Sequence, residues 1–275
     1  MLSVLAGALL LSVTGACESQ RPAIPKPAPS PSHSVGASAS ASAQAGSGNP
    51  FLARVPTFPA APTPQPIVLP PVTNGKAPFF SRLPTTQQVA FLTMDDGYSQ
   101  APDELTLMQA AHIPFTMFLI APIAAQNPSF FQQLVAAGGM VGDHTITHPS
   151  LRGRPYAFQH HEMCDSKPTL TQIFGQQPRL FRPPFGNYDS TTLKVAHDCG
   201  YTAVLNWSET VDKGIVRYQT ADHTIHAGDI ILMHFRPAFI DDVLAALNAI
   251  KAAGLTPAVL SDYLLPPGSS PAPLP

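Results

Sequence analysis

Val89-Ala90-Phe91-Leu92-Thr93-Met94-Asp95-Asp96-Gly97 decides how the rest of the chain is read. The apolar run from Val89 to Leu92 has the composition of a buried strand. It ends in two adjacent carboxylates and a glycine. Neighbouring strand residues point to opposite faces, so two successive acids normally diverge. A strand end lifts that constraint, and Gly97 permits a sharp exit that lets both acids reach one cleft. Two close anions repel, and the pair therefore wants a cation or a proton. Taken alone, Asp-Asp-Gly is equally ordinary turn chemistry. The remainder of the chain decides between the two.

Downstream, apolar runs alternate with helical patterns. Helices are predicted over 102–111, 129–137, 157–174, 190–199 and 240–253, the third running through Pro168. Glycines follow the second, fourth and fifth, where helices stop. Strands are predicted over 115–121, 140–145, 180–182, 203–207, 230–234 and 257–260. Such alternation implies a largely parallel α/β sheet or barrel. In these folds the chemistry sits at the C-terminal ends of strands. Asp95, Asp96, His144, Arg182 and His234 all fall at such ends.

Charged residues make up 12% of the chain and the formal net charge is -2, which removes any electrostatic case for nucleic acid. A neutral glycan suits that balance. The apolar fraction of 44% is ample for one core, but 32 Pro and 18 Gly indicate that part of the chain is not globular. Residues 1–17 are apolar and end in small residues before Cys17, resembling a bacterial lipoprotein signal without a basic start. Plain secretion is the alternative. Residues 18–86 read as a Pro/Ala/Ser-rich linker, a disordered tether; 87–265 as the folded domain; 266–275 as a disordered tail. In an exported chain Cys164 and Cys199 either pair or stay free, and spacing does not choose.

The second chemical stretch is His144-Thr145-Ile146-Thr147-His148. Two histidines four apart are expected on one side of a helical turn. With Asp96 as an oxygen ligand, one carboxylate and two imidazoles suit a divalent metal: zinc foremost, with cobalt, nickel or iron(II) also fitting.

Taken together, these residues resemble a known family. Thr93-Met94-Asp95-Asp96-Gly97, His144 to His148, Arg182-Pro183-Pro184-Phe185-Gly186 and Leu232-Met233-His234 are similar, in order and spacing, to four motifs of the polysaccharide deacetylases (carbohydrate esterase family 4, the NodB-homology domain). The resemblance runs from about Val89 to Tyr263. One further family motif, Asp-x-x-Asp-Trp, which stands fourth in chain order, is poorly kept: Glu209-Thr210-Val211-Asp212-Lys213 has Lys213 in place of Trp. The resemblance implies a distorted (β/α) barrel and N-deacetylation of a glycan such as peptidoglycan or chitin-type oligomers. Asp96, His144 and His148 would hold the metal. Asp95 would be the general base, Arg182 its partner, and His234 the acid, with Asp212 pairing with His234 and raising its pKa. The Phe185 backbone N–H would meet the oxyanion and Leu232 the acetyl methyl. Tyr98 and Trp207 are candidate sugar platforms. The expected partner is an N-acetylated polysaccharide, with a monomeric protein and membrane contact through an N-terminal lipid alone. O-deacetylation of xylan or another acetylated polymer, and a non-catalytic wall-binding lipoprotein, are the competing readings.

Overall fold

The computed structural model describes residues 49–264. Residues 1–48 and 265–275 lie outside the described residues, and with them the expected signal, the expected lipid at Cys17, the first part of the expected linker (18–48) and the expected tail. Upstream of Gln87 the chain is already structured. A 3-10 turn at Leu52–Arg54 precedes a short strand, β1 (Phe79–Phe80). Ala77, Phe80 and Leu83 are buried, so the domain begins earlier than composition suggests.

There follow β2 (Val89–Asp96), α1 (Pro102–Ala111), β3 (Phe115–Leu119), α2 (Ala121–Gln126), α3 (Pro128–Ala136) and β4 (Gly139–Asp143). Next come α4 (Tyr156–Cys164), α5 (Lys167–Phe174), β5 (Leu180–Phe181), a 3-10 turn at Pro184–Gly186, α6 (Ser190–Asp198) and β6 (Ala203–Leu205). The chain closes with β7 (Glu209–Asp212), β8 (Ile215–Tyr218), β9 (Ile230–His234), α7 (Phe239–Ala252), β10 (Thr256–Pro257) and α8 (Leu260–Leu264). One sheet runs β1-β6-β5-β4-β3-β2-β9-β7-β8, with β10 also on β2. Every pairing is parallel except β7 with β8. Among the described residues no ladder joins β1 to β8, so the barrel is open and distorted.

β2 is buried along its whole length. Ala90, Leu92 and Met94 face the helical layer, packing with Leu107, Phe131 and Leu247. Val89 and Phe91 face the barrel interior with Phe118, Leu205 and Tyr263. The strand thus follows the expected alternation, and Thr93 and Asp95 continue its inward series.

Several elements differ from the sequence reading. The long helix is two: α4 ends at Cys164 and α5 takes Pro168 into its first turn. A proline there lacks a donor the turn does not need, whereas inside a helix it clashes with the carbonyl four residues back. The β7–β8 hairpin was not read, because its turn is Lys213-Gly214 rather than Asn-Gly; both residues have positive φ, 54° and 71°, as a two-residue hairpin turn requires. The last predicted strand shrinks to Thr256–Pro257, and α8 begins at Leu260.

Candidate active site

At the end of β2 the backbone turns over. Asp96 has φ of 76° and Gly97 of 99°. Asp95 keeps the strand alternation and points inward; Asp96 leaves it, and both carboxylates reach the same cleft. A left-handed aspartate is uncommon and carries strain, which such sites tolerate.

Asp95 is fixed from below. Arg182, fully buried just past β5, donates from Nη1 to Asp95 Oδ1 at 2.7 Å and to Thr93 Oγ1 at 2.8 Å. Its Nη2 donates to the Asn206 carbonyl at 3.0 Å, and the guanidinium lies 4.2 Å over the Phe118 ring. Burial pulls the Arg182 pKa down, and Asp95 opposes that shift. The other carboxylate oxygen, Oδ2, lies 3.6 Å from His144 Nε2.

His144 and His148 do converge, but not through a helical turn. β4 stops at Asp143, and 144–148 is an irregular loop with positive φ at Thr145 (74°) and His148 (58°). Its partners decide the shape: the His144 amide donates to the Leu119 carbonyl, and the amides of Thr145 to His148 donate to side chains rather than to i→i−4 carbonyls. Asp143 Oδ1 accepts from Thr145 N–H, and Thr145 Oγ1 from His148 N–H. The two Nε2 atoms end 3.2 Å apart; Asp96 Oδ1 is 3.6 Å from that of His144 and 3.3 Å from that of His148.

These three atoms fit a cation. The His144 Nδ1 lies 2.7 Å from the Arg182 carbonyl, which can only accept, so the proton sits on Nδ1 and Nε2 offers a lone pair to the site. Burial pushes the His144 pKa down to about 3. Burial, with Asp95 adding to it, raises that of Asp96, against the pull of both histidines. Asp96 Oδ1 is buried without a hydrogen-bond partner. An orphaned carboxylate oxygen facing two imidazole nitrogens is a donor set that fits a divalent cation.

His234 ends β9 in register with Asp95. Burial lowers its pKa to about 4, with Asp95 pulling upward. Asp212 does not raise it. Its carboxylate is drawn outward to Arg217 Nη2 at 3.6 Å and Arg236 Nη1 at 4.0 Å. Two exposed guanidinium groups take that carboxylate, and the expected Asp212–His234 pair does not form. Leu232 is buried two residues below His234. Phe185, with φ of 59°, stands exposed and sets its ring edge-on to His148 at 4.6 Å between centroids. Tyr98 is exposed nearby in sequence to the acid pair. Trp207 is half-buried against the interior cluster, its ring 5.8 Å from the Arg182 guanidinium. The structure therefore gathers Asp95, Asp96, His144, His148, Arg182 and His234, and leaves Asp212 outside.

Sequence reasoning missed Glu162, Asp143 and Arg236. Glu162 sits on the buried face of α4 with Gln159 and Met163, and a carboxylate at that helical spacing was the available signal. Asp143 directly precedes His144 in an otherwise apolar strand; burial raises its pKa to about 6, and Ser166, Thr145 and Tyr201 donate to it. Arg236 is half-exposed, and its charge lowers the pKa of both His234 and Asp96. Cys164 and Cys199 form a disulfide, Cα atoms 5.3 Å apart, linking the ends of α4 and α6.

The polysaccharide deacetylase family model matches residues 82–204. An uncharacterised protein of Streptomyces coelicolor is 36% identical over 192 residues, covering 68% of this chain and 77% of that protein. A chitooligosaccharide deacetylase of Bradyrhizobium is 30% identical, covering 52% of this chain and 69% of that one. The chain belongs to the polysaccharide deacetylase family. Among solved structures, a family 4 carbohydrate esterase from Streptomyces lividans in complex with acetate is 26% identical with a TM-score of 0.55, covering 68% of this chain and 98% of that one. A family 4 pseudoenzyme from Bacillus anthracis shares the fold at 20% identity and a TM-score of 0.60, over 68% of this chain and 69% of that one. This polysaccharide deacetylase domain extends past the family match to β9, which supplies His234.

Proposed function

We propose that the protein is an exported, metal-dependent carbohydrate deacetylase that hydrolyses N-acetyl groups of a glycan, with peptidoglycan and chitin-type oligomers as candidate substrates. The observation that carries this reading is the convergence of Asp96, His144 and His148 beside the Arg182–Asp95 pair and His234. Asp96 Oδ1 and the two Nε2 atoms would hold the ion, zinc foremost; when bound, it supplies polarisation of the acetyl carbonyl and acidification of a water.

The chain's own residues do the rest. Arg182 occupies Asp95 Oδ1, which leaves Oδ2 facing the site to take a proton from water as general base. The attacked carbon becomes tetrahedral, and the Phe185 backbone N–H is the candidate donor to its oxygen. His234 starts neutral, its pKa lowered chiefly by burial, and the negative charge that develops beside it draws a proton from solvent to make the imidazolium. The carbon–nitrogen bond breaks as that proton passes to the leaving amine, and Asp95 returns the water's proton to solvent. Leu232 floors the space for the acetyl methyl, and the exposed rings of Tyr98 and Phe185, with Trp207, border a path for sugars.

The test is acetate release from N-acetylglucosamine oligomers and from isolated cell wall, using protein loaded with zinc or cobalt. Absence of release on both counts against the reading. Asp95→Asn is expected to keep metal and lose turnover by about 10²–10⁴-fold; loss of metal in that variant overturns the division of roles between the two acids. A non-catalytic reading draws on the displaced Asp212 and on the fold shared with a pseudoenzyme. It expects sugar binding without acetate release. Export rests on the apolar stretch before Cys17, and cell fractionation of wild type and Cys17→Ser tests it: lipid attachment predicts release of the variant from the membrane.

A further inference from the structure

The loop that carries both histidine ligands is held in an unfavourable shape. Thr145 and His148 each sit at positive φ, at a cost of about 1–3 kcal/mol apiece, so something outside the loop must impose the conformation. Its four amides from Thr145 to His148 are all taken up by side chains. Asp143 and Thr145 account for the first and last, and both belong to the same stretch of chain. The middle two go to a residue from another element. Glu162 Oε2 accepts from Ile146 N–H at 3.1 Å and Thr147 N–H at 2.8 Å, and its Oε1 accepts from the Thr147 hydroxyl at 2.6 Å. Glu162 is itself buried, and both of its oxygens are spent on the loop.

We propose that Glu162 is the positioning residue of the metal site, setting the distance between His144 Nε2 and His148 Nε2 through these three hydrogen bonds. The helix that carries it is anchored two residues later, where Cys164 is joined to Cys199 beside α6. Helix, cystine and carboxylate form one brace behind the loop. Its chemical task is to hold two imidazoles close enough to share a divalent cation. The inference rests on the metal reading of the site and is independent of the acetyl chemistry.

The experiment titrates metal-free full-length protein with Co(II) and with Zn(II) against a competing chelator. The visible absorption of bound Co(II) reports ligand geometry. Glu162→Gln keeps one acceptor oxygen and turns an amide NH₂ toward the remaining donor. It is expected to weaken metal binding by about 10–100-fold and to alter the Co(II) spectrum. Thr147→Val, which keeps shape and removes one bond, is expected to weaken it by about 3–10-fold. Thr147→Ser retains the hydroxyl and is expected to bind as the wild type does. Unchanged affinity and spectrum in both Glu162→Gln and Thr147→Val overturn the proposal. So does a loss of thermal stability that is equal with and without metal while affinity stays constant. Should Glu162→Gln not fold, Thr147→Val decides. A wild type that binds no metal overturns this proposal together with the metal reading. Failure of the deacetylase reading alone looks different: no acetate is released, yet the affinity losses remain.

Discussion

At the residue scale, the centre of the site is a buried charge pair. Arg182 is fully buried and Asp95 nearly so. Removing one partner of such a pair strands the other. Arg182→Met is therefore expected to cost about 3–5 kcal/mol in urea unfolding, and pairing it with Asp95→Asn should recover part of that loss. Arg182→Lys should not rescue, because a point charge cannot reach Asp95, Thr93 and the Asn206 carbonyl together. The histidines set the acid behaviour of the metal-free protein. His144 and His234 have folded pKa values lowered from 6.5 to about 3 and about 4. Between pH 6.5 and those values the unfolded chain takes up protons that the folded one does not, so stability falls as pH falls through that window. Above pH 6.5 it is fully present. Asp143, raised to about 6 by burial, and Asp96, also raised, offset part of that loss. Thermal unfolding of metal-free protein across pH 7 to 4 measures this, and a flat profile contradicts it.

At the element scale, close approaches and cross-links do what propensity does not. Gly142 in β4 lies against Phe118: an added Cβ would sit 2.5 Å from that ring. The same ring lies under the Arg182 guanidinium. Gly142→Ala is expected to displace Phe118, destabilise by about 1–3 kcal/mol, and lower activity through Arg182. Reducing the Cys164–Cys199 bond, which spans 35 residues, is expected to cost about 3–4 kcal/mol on the loop-entropy account. A melting curve with and without reductant checks it. Helix and strand existence was readable because β2, β3 and β9 are short continuous apolar runs, buried on both faces, and α7 carries a 3.6-residue apolar period. The β7–β8 hairpin was not, because its strands are four residues each and its turn lacks the usual sequence.

At the scale of the whole molecule, the chain upstream of Gln87 belongs to the domain. β1 pairs with β6 at one end of the sheet, the Ala77 amide donates to the Leu193 carbonyl, and Phe80 and Leu83 are buried. A chain beginning at Gln87 is expected to be about 3–6 kcal/mol less stable than one beginning at Asn49, from the apolar burial of those two side chains alone. Denaturant midpoints of the two forms decide it. Composition hid this because prolines and alanines dominate the segment, while the few large apolar residues that dock are spaced without period.

The sequence by itself determined the α/β alternation around β2, β3, β4 and β9, the placing of Asp95, His144, Arg182 and His234 at or next to the C-terminal ends of strands, and the choice of one carboxylate and two imidazoles as a donor set. These follow from local periodicity and from residue chemistry, which act over a few positions. Tertiary structure alone decided the rest. It turned Asp96 over at positive φ, bent the His144–His148 loop out of any helix, drew Asp212 to Arg217 and Arg236, closed the cystine and brought Glu162 behind the loop. Each depends on groups distant in the chain competing for the same partner, and that competition has an outcome only once the barrel has brought them together.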